Sequence, residues 1–232
     1  MYNTQTYSLA QYDEGLRSFM LQVFNYMTFA LALSGLVSLG VSMSPALMAV
    51  IWATPLKWVV VLAPLAMSIG FMFMVDKMNS STAKLFLFAF AVAMGLSLSS
   101  IFAIYNLGSI IHVFFISSAT FGAASLYGYT TKRDLTTIGS FLIMGAIGLV
   151  IAGVVNLFLQ SSVFAFAISC LAVLIFTGLT AYDTQQIKQF YDDIYENEDD
   201  RQKMGVVGAL MLYLDFINIF VHLLQLIGEK KE

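Results

Sequence analysis

Seven uninterrupted apolar runs limit what this chain can fold into: Phe19–Val41, Leu56–Val75, Leu85–Tyr105, Ile110–Tyr129, Ile138–Phe158, Val163–Tyr182 and Met204–Ile227. Each is 20 to 24 residues long, and about 20 apolar residues suffice for a helix to cross the hydrocarbon core of a bilayer. Within lipid every backbone N–H and C=O must find a partner inside its own element, so runs of this length read as helices. A membrane barrel would instead show ten-residue segments of alternating polarity, and none is present. Hydrophobic residues make up 59% of the 232, charged residues 11%, and mean hydropathy is +0.82. A soluble globular domain of this size does not reach such values. The sequence predicts an all-α polytopic membrane protein in one domain. Residues 1–18 form a cytoplasmic N-terminal tail, residues 19–228 the seven-helix domain with a charged cytoplasmic loop at 184–203, and residues 229–232 a short C-terminal tail.

Net charge is −3 with a pI near 5.3, so no basic footprint for nucleic acid exists. The single cysteine, Cys170, lies in an apolar run and reads as a small hydrophobe. Asp13 and Glu14 precede Arg17 in the polar first 18 residues, unlike the basic opening of a secretory signal. The first span is therefore expected to stay in the mature protein. With seven crossings, one face gathers Arg17, Lys77, Lys84, Lys132, Arg133, Lys188, Arg201 and Lys203, and the other Lys57, Lys230 and Lys231. Excess Lys and Arg mark the cytoplasmic face, which places the N-terminus inside and the C-terminus outside. A last segment that entered and left by the same face would change the split from eight against three to ten against one, but its 24-residue length favours a crossing.

Several residues read as structural. Trp52 and Trp58 flank the start of the second span and suit an aromatic belt at the outer interface. Pro64 is expected to bend that span. Small residues four apart, Ser118/Gly122, Ala124/Gly128 and Gly148/Ala152, allow helices to approach closely. The stretch Thr184–Lys203 holds Asp192, Asp193, Glu196, Glu198, Asp199 and Asp200. Its acidity could attract calcium, yet it lacks the spacing of an EF-hand loop, which favours a solvated connector. Thr184–Tyr191 has no helix breaker and can extend the sixth helix beyond the membrane.

Asp215 stands apart: no other Asp, Glu, Lys or Arg lies inside any of the runs, except at their margins. A charge at the centre of a membrane helix costs roughly 2.5–3.5 kcal/mol on the insertion scale, and such a residue normally faces protein or water. On a helix turning 100° per residue, Asp215, Asn218, His222 and Gln225 share an arc of about 80°. The remaining circumference is apolar, which predicts a last helix at the centre of the bundle with its stripe lining an internal cavity. Interhelical hydrogen bonding alone would also explain four such residues, but the carboxylate favours an ion pathway.

A second carboxylate near the membrane, Asp183, follows directly on the sixth run. If Lys188 snorkels to the surface, Asp183 lies about 7 Å below it at 1.5 Å per residue. Asp215 is deeper by this count, so contact between the two needs tilt or a late start of the last helix. Carboxylates that meet in low dielectric cannot both ionise cheaply and would share a proton. Such a pair offers oxygen ligands to a hard cation, a transient metal site and a proton-sensitive gate in one.

The segments Gly178-Leu-Thr-Ala-Tyr-Asp-Thr-Gln185 and Leu212-Tyr-Leu-Asp-Phe-Ile-Asn-Ile-Phe220 resemble the two signatures of the Bax inhibitor-1 family. Leu126-Tyr-Gly-Tyr-Thr-Thr-Lys-Arg-Asp-Leu135 and Leu98-Ser-Ser-Ile-Phe102 are similar to its bacterial inner-membrane branch. The resemblance implies six helices around a central seventh, and a pH-sensitive calcium leak gated by an aspartate pair, matched here by Asp183 and Asp215. It also implies a basic residue in the second helix that locks the pair. Residues 58–75 contain no Lys, Arg or His, so this chain departs from the pattern there.

The leading expectation is a passive cation leak, with calcium the permeant ion and no bound cofactor. The alternative is a non-transporting regulator that binds other membrane proteins, such as a quality-control protease, as the resemblance also implies. An enzyme ranks third: His112 and His222 lie on separate spans, and neither a His-Glu-x-x-His nor a Gly-x-Ser-x-Gly motif occurs.

Overall fold

The computed structural model describes residues 9–193 and 198–231. The helices in chain order are α1 (Leu9–Ser42), α2 (Pro45–Trp52), α3 (Leu56–Met74) with a 3-10 turn at Val75–Lys77, α4 (Ser80–Ile104), α5 (Leu107–Thr130), α6 (Thr136–Leu159), α7 (Ser162–Asp193) and α8 (Glu198–Ile227). Seven of them, all but α2, are long and apolar enough to cross a membrane, and each contains one of the apolar runs. Among the described residues no strand forms, beyond one isolated bridge between Tyr105 and Lys230.

The helices overrun the apolar runs where polar chain continues without a breaker. Helix α1 begins ten residues before Phe19, so residues 9–18 of the expected tail are helical. The expected loop at 184–203 is helical on both sides of residues 194–197, which include Glu196 and lie outside the described residues. Glu198, Asp199 and Asp200 fill the first turn of α8, where acidic side chains complement the helix dipole. The short α2 escaped sequence reading. It starts at Ser44, whose hydroxyl accepts from Leu47 N–H (3.4 Å), with Pro45 in the first turn.

Pro64 sits inside α3 without ending it. Proline has no N–H for the carbonyl four residues back, and that carbonyl, Val60 O, instead accepts the Ser97 hydroxyl of α4. Trp52 donates its indole N–H to Ser99 Oγ at 3.0 Å, whereas Trp58 is exposed.

Helix α8 is the most buried of the seven. Some 67% of its most apolar window is buried, against 33% or less in the others and none in α6. It packs chiefly on α7, α1, α5 and α4, while α3 leans on α4 and α6 on α7. Four of the six other spanning helices thus supply most of its packing. A Cβ on Gly208 would lie 2.8 Å from Ile187 of α7, and one on Gly128 of α5 would run into the Ala181 carbonyl. Both positions need glycine for α7 to sit this close. Of the three small-residue pairs, Ala124/Gly128 is at a close contact, whereas Gly122 and Gly148 face open space.

A buried polar tie fixes α8 against α1 and α4. Ser34 Oγ lies 2.8 Å from Ala91 O and 2.6 Å from Tyr213 Oη. Ala30 O of its own helix lies 2.9 Å away as a further acceptor, and with the single serine proton on either carbonyl the tyrosine donates to Ser34. The ends of α8 meet opposite ends of α4. Asp199 accepts from the Ser80 N–H and hydroxyl at one end, while Lys231 N–H donates to Ile104 O (2.9 Å) and Asn106 N–H to Glu229 O (3.0 Å) at the other. The last helix therefore runs the full length of the bundle and does not turn back.

Candidate functional site

Asp183 of α7 and Asp215 of α8 face one another with their carboxyls within hydrogen-bonding range. Asp215 is 4% exposed, and Asp183 is partly open. Asp183 lies ten residues inside the end of α7, about 15 Å at 1.5 Å per residue. The hairpin carries the same antiparallel register at Ile187 against Gly208 and at Ser169 against Gln225, to within about one turn. The pair therefore meets through ordinary packing of two helices that both extend beyond the expected surface.

Thr180 completes the cluster. Its fully buried hydroxyl lies 2.8 Å from Phe176 O and also within reach of Asp215. A hydroxyl has one proton, so it serves the carbonyl or the carboxyl at any moment. Asp215 Oδ2 is buried and receives no protein donor. An orphaned buried acceptor is costly, and a proton placed between the two carboxyls would satisfy it. Neither aspartate has a basic side chain as electrostatic partner among the described residues. The ion pairs described there, Arg201 with Glu198 and Lys203 with Asp200, lie in the first turns of α8.

Asn218 donates to Leu214 O of its own helix (2.8 Å). His222 Nδ1 is 3.3 Å from Ser169 Oγ, and that serine donates to Gln225 Oε1 at 2.7 Å. Since Ser169 spends its proton on Gln225, His222 meets it with a protonated Nδ1. Asp215, His222 and Gln225 thus meet α7, with Gln225 reaching the surface. None of the stripe's four residues lines the cavities formed by Arg17 to Tyr129, Phe24 to Phe216, Leu31 to Phe220 or Val61 to Leu214.

Just beyond the pair, Gln185 holds the α5–α6 connection from both sides. Its Oε1 accepts from Leu135 N–H (2.8 Å), and its Nε2 donates to Arg133 O (2.9 Å). Lys188 donates to Tyr129 O at the end of α5 (2.7 Å). In the same connection, hydrogen bonds from Thr136 hold the exposed Asp134 carboxyl below the usual carboxylate range. Sequence reading missed Thr180, Ser169 and Gln185. For Thr180 a signal existed, because it stands three residues before Asp183 and so shares its helix face.

A family model described as "Inhibitor of apoptosis-promoting Bax1" matches residues 16–232. The chain belongs to this Bax inhibitor family. Among its relatives is the inner membrane protein YbhL of Escherichia coli K12, 38% identical over 226 residues and 97% of each chain. An uncharacterised Rickettsia prowazekii protein, RP147, is 42% identical over 99% of this chain and 97% of its own. An uncharacterised protein of Caulobacter vibrioides is 41% identical, covering 95% and 92% respectively. The Bax inhibitor family match embraces both aspartate motifs and all seven apolar runs.

Proposed function

We propose that this protein is a passive cation leak, with calcium its main permeant ion, gated by protonation of the Asp183–Asp215 pair. The observation that carries the reading is the direct contact of two carboxyls from neighbouring helices with no cationic partner among the described residues. Such a contact holds only while a proton is shared. At an effective dielectric of about 20, two unit charges 4 Å apart repel by about 4 kcal/mol. Losing the shared proton therefore drives α7 and α8 apart. The partly exposed Asp183 is the entry for protons, and Asp215 the buried sensor.

Calcium takes 6–8 oxygen ligands. The two carboxyls and the Thr180 hydroxyl cannot fill all of these positions, so an ion would pass through, still partly hydrated, rather than lodge. Among the described residues no group of three or more His, Cys, Asp or Glu could hold it tightly. Asn218, His222 and Gln225 continue the polar route along α8. The protein acts in the bacterial inner membrane with its N-terminus in the cytoplasm, a placement supported by the basic-residue split and by the name of YbhL.

The test is calcium flux into liposomes holding the purified protein, measured across mildly acidic to mildly alkaline pH. Flux above that of empty liposomes, altered in Asp215→Asn, supports the leak. No flux at any pH hands the function to the regulator of other membrane proteins.

A further inference from the structure

Helices α1 and α5 leave between them a groove that runs through the bundle. Three cavities of about 580, 440 and 520 Å³ line up along it. The first two share Phe24 and Phe121, and the second and third share Leu31, Gly35, Phe114 and Phe216. Phe216 and Phe220 of α8 are its floor, ring against ring with Phe114 and Phe121 of α5. The walls are apolar, but one end is not. Arg17 and Tyr129 stand at the mouth of the first cavity. Ser125, which is 5% exposed with no partner for its hydroxyl, lines the same cavity. It lies about 6 Å deeper than Tyr129 along α5.

We propose that the Arg17 end of this groove is a phospholipid site, with one acyl chain lying between α1 and α5. The depths of the side chains match the chemistry of a glycerophospholipid in sequence. A guanidinium at the interface binds a phosphodiester through its planar fork. The Ser125 hydroxyl, a turn below, donates to the ester carbonyl and so gains the partner that the protein does not provide. The chain then passes Phe121 and Gly122. Phe24 lies seven residues from Arg17, about 10 Å along α1, and half of a hydrocarbon core about 30 Å thick is about 15 Å, so the junction at Phe24 and Phe121 falls within the same leaflet as Arg17. Gly122 keeps this path open: a Cβ there meets no atom within 4 Å. Gly35 is equally open but lies 18 residues from Arg17, about 27 Å, in the opposite leaflet. Since Phe216 directly follows Asp215, a lipid in the groove rests on the helix that carries the buried carboxyl.

The experiment uses the full chain in phosphatidylcholine vesicles with a trace of phosphatidylcholine bearing a mid-chain diazirine. After irradiation, labelled residues are mapped by peptide mass spectrometry. The expected result is several-fold enrichment at Phe24 and Phe121 over Phe141 and Phe158, the freely exposed side chains of α6. Gly122→Leu should lower that label at least fivefold, and Gly35→Leu should leave it unchanged. Arg17→Ala should lower it for phosphatidylcholine but not for a diazirine fatty alcohol, which has no phosphate. Even labelling of α6 and the groove in the wild type, or labelling unaffected by Gly122→Leu, overturns the site. Equal sensitivity of both probes to Arg17→Ala overturns the phosphate contact.

Discussion

The tie between Ser34 and Tyr213 gives a prediction with an unusual sign. Tyr213 has no exposed surface, and its hydroxyl is held by Ser34 Oγ at 2.6 Å. Tyr213→Phe removes one side-chain hydrogen bond, leaving Ser34 still bonded to Ala91 O. The expected cost is about 0.6 kcal/mol, the mean for such bonds in a membrane protein. Ser34→Ala is worse, because it strands the tyrosine hydroxyl in a dry interior, at about 1–3 kcal/mol. Combining the two removes the stranded group. The double variant should therefore be more stable than Ser34→Ala alone by about 1 kcal/mol, roughly a fivefold change in the unfolding equilibrium. Reversible unfolding in mixed micelles, titrated with sodium dodecyl sulfate and followed by circular dichroism, measures all four proteins. Costs that simply add, or a Ser34→Ala no worse than Tyr213→Phe, would refute the assignment of donor and acceptor and the burial argument behind it.

Gln185→Leu should free Leu135 N–H and Arg133 O together, so the Leu135 amide should exchange with deuterium about tenfold faster, matching a loss near 1.4 kcal/mol; unchanged exchange would show that Gln185 does not hold the α5–α6 connection. Gly208→Val should wedge Ile187 away from α8, destabilising the fold by about 1–3 kcal/mol and raising basal flux; wild-type flux in a folded variant would count against coupling between hairpin packing and the gate. Cysteines placed at Lys132 and Lys230 should be labelled from opposite faces, position 132 from the cytoplasmic one; same-face labelling would contradict the end-to-end path of α8.

The seven helices were legible because twenty apolar residues in a row override every weaker signal. Their ends were not. Hydropathy falls at Phe19, Tyr182 and Met204, while the backbone remains helical to Leu9, Asp193 and Glu198 because nothing in those polar turns breaks it. Helix α2 has eight residues, too few to read as a span. Asp183 and Asp215 could be found because a carboxylate in an apolar setting is costly enough to stand out. Whether they touch depends on how far α7 and α8 extend past the apolar runs, a tertiary matter. Ser169 and Gln185 gave little sign, since hydroxyls and amides are common in membrane helices and their distant partners, Gln225 and the Arg133–Leu135 connection, are set by tertiary packing. Gly122 shows the reverse error. Its spacing from Ser118 reads as a packing motif, yet it opens onto a groove.

The central claim is that Asp183 and Asp215 act as one proton-linked unit. It is tested most directly by calcium flux against pH in liposomes for four proteins: wild type, Asp183→Asn, Asp215→Asn and the double variant. The account predicts pH-dependent flux in the wild type and an altered, flattened profile in each single variant. It also predicts a double variant that resembles the singles rather than their combined effect, because both residues act through one shared proton. Independent, additive effects would contradict the coupled gate, and flux no faster than empty liposomes in all four proteins would contradict the leak itself.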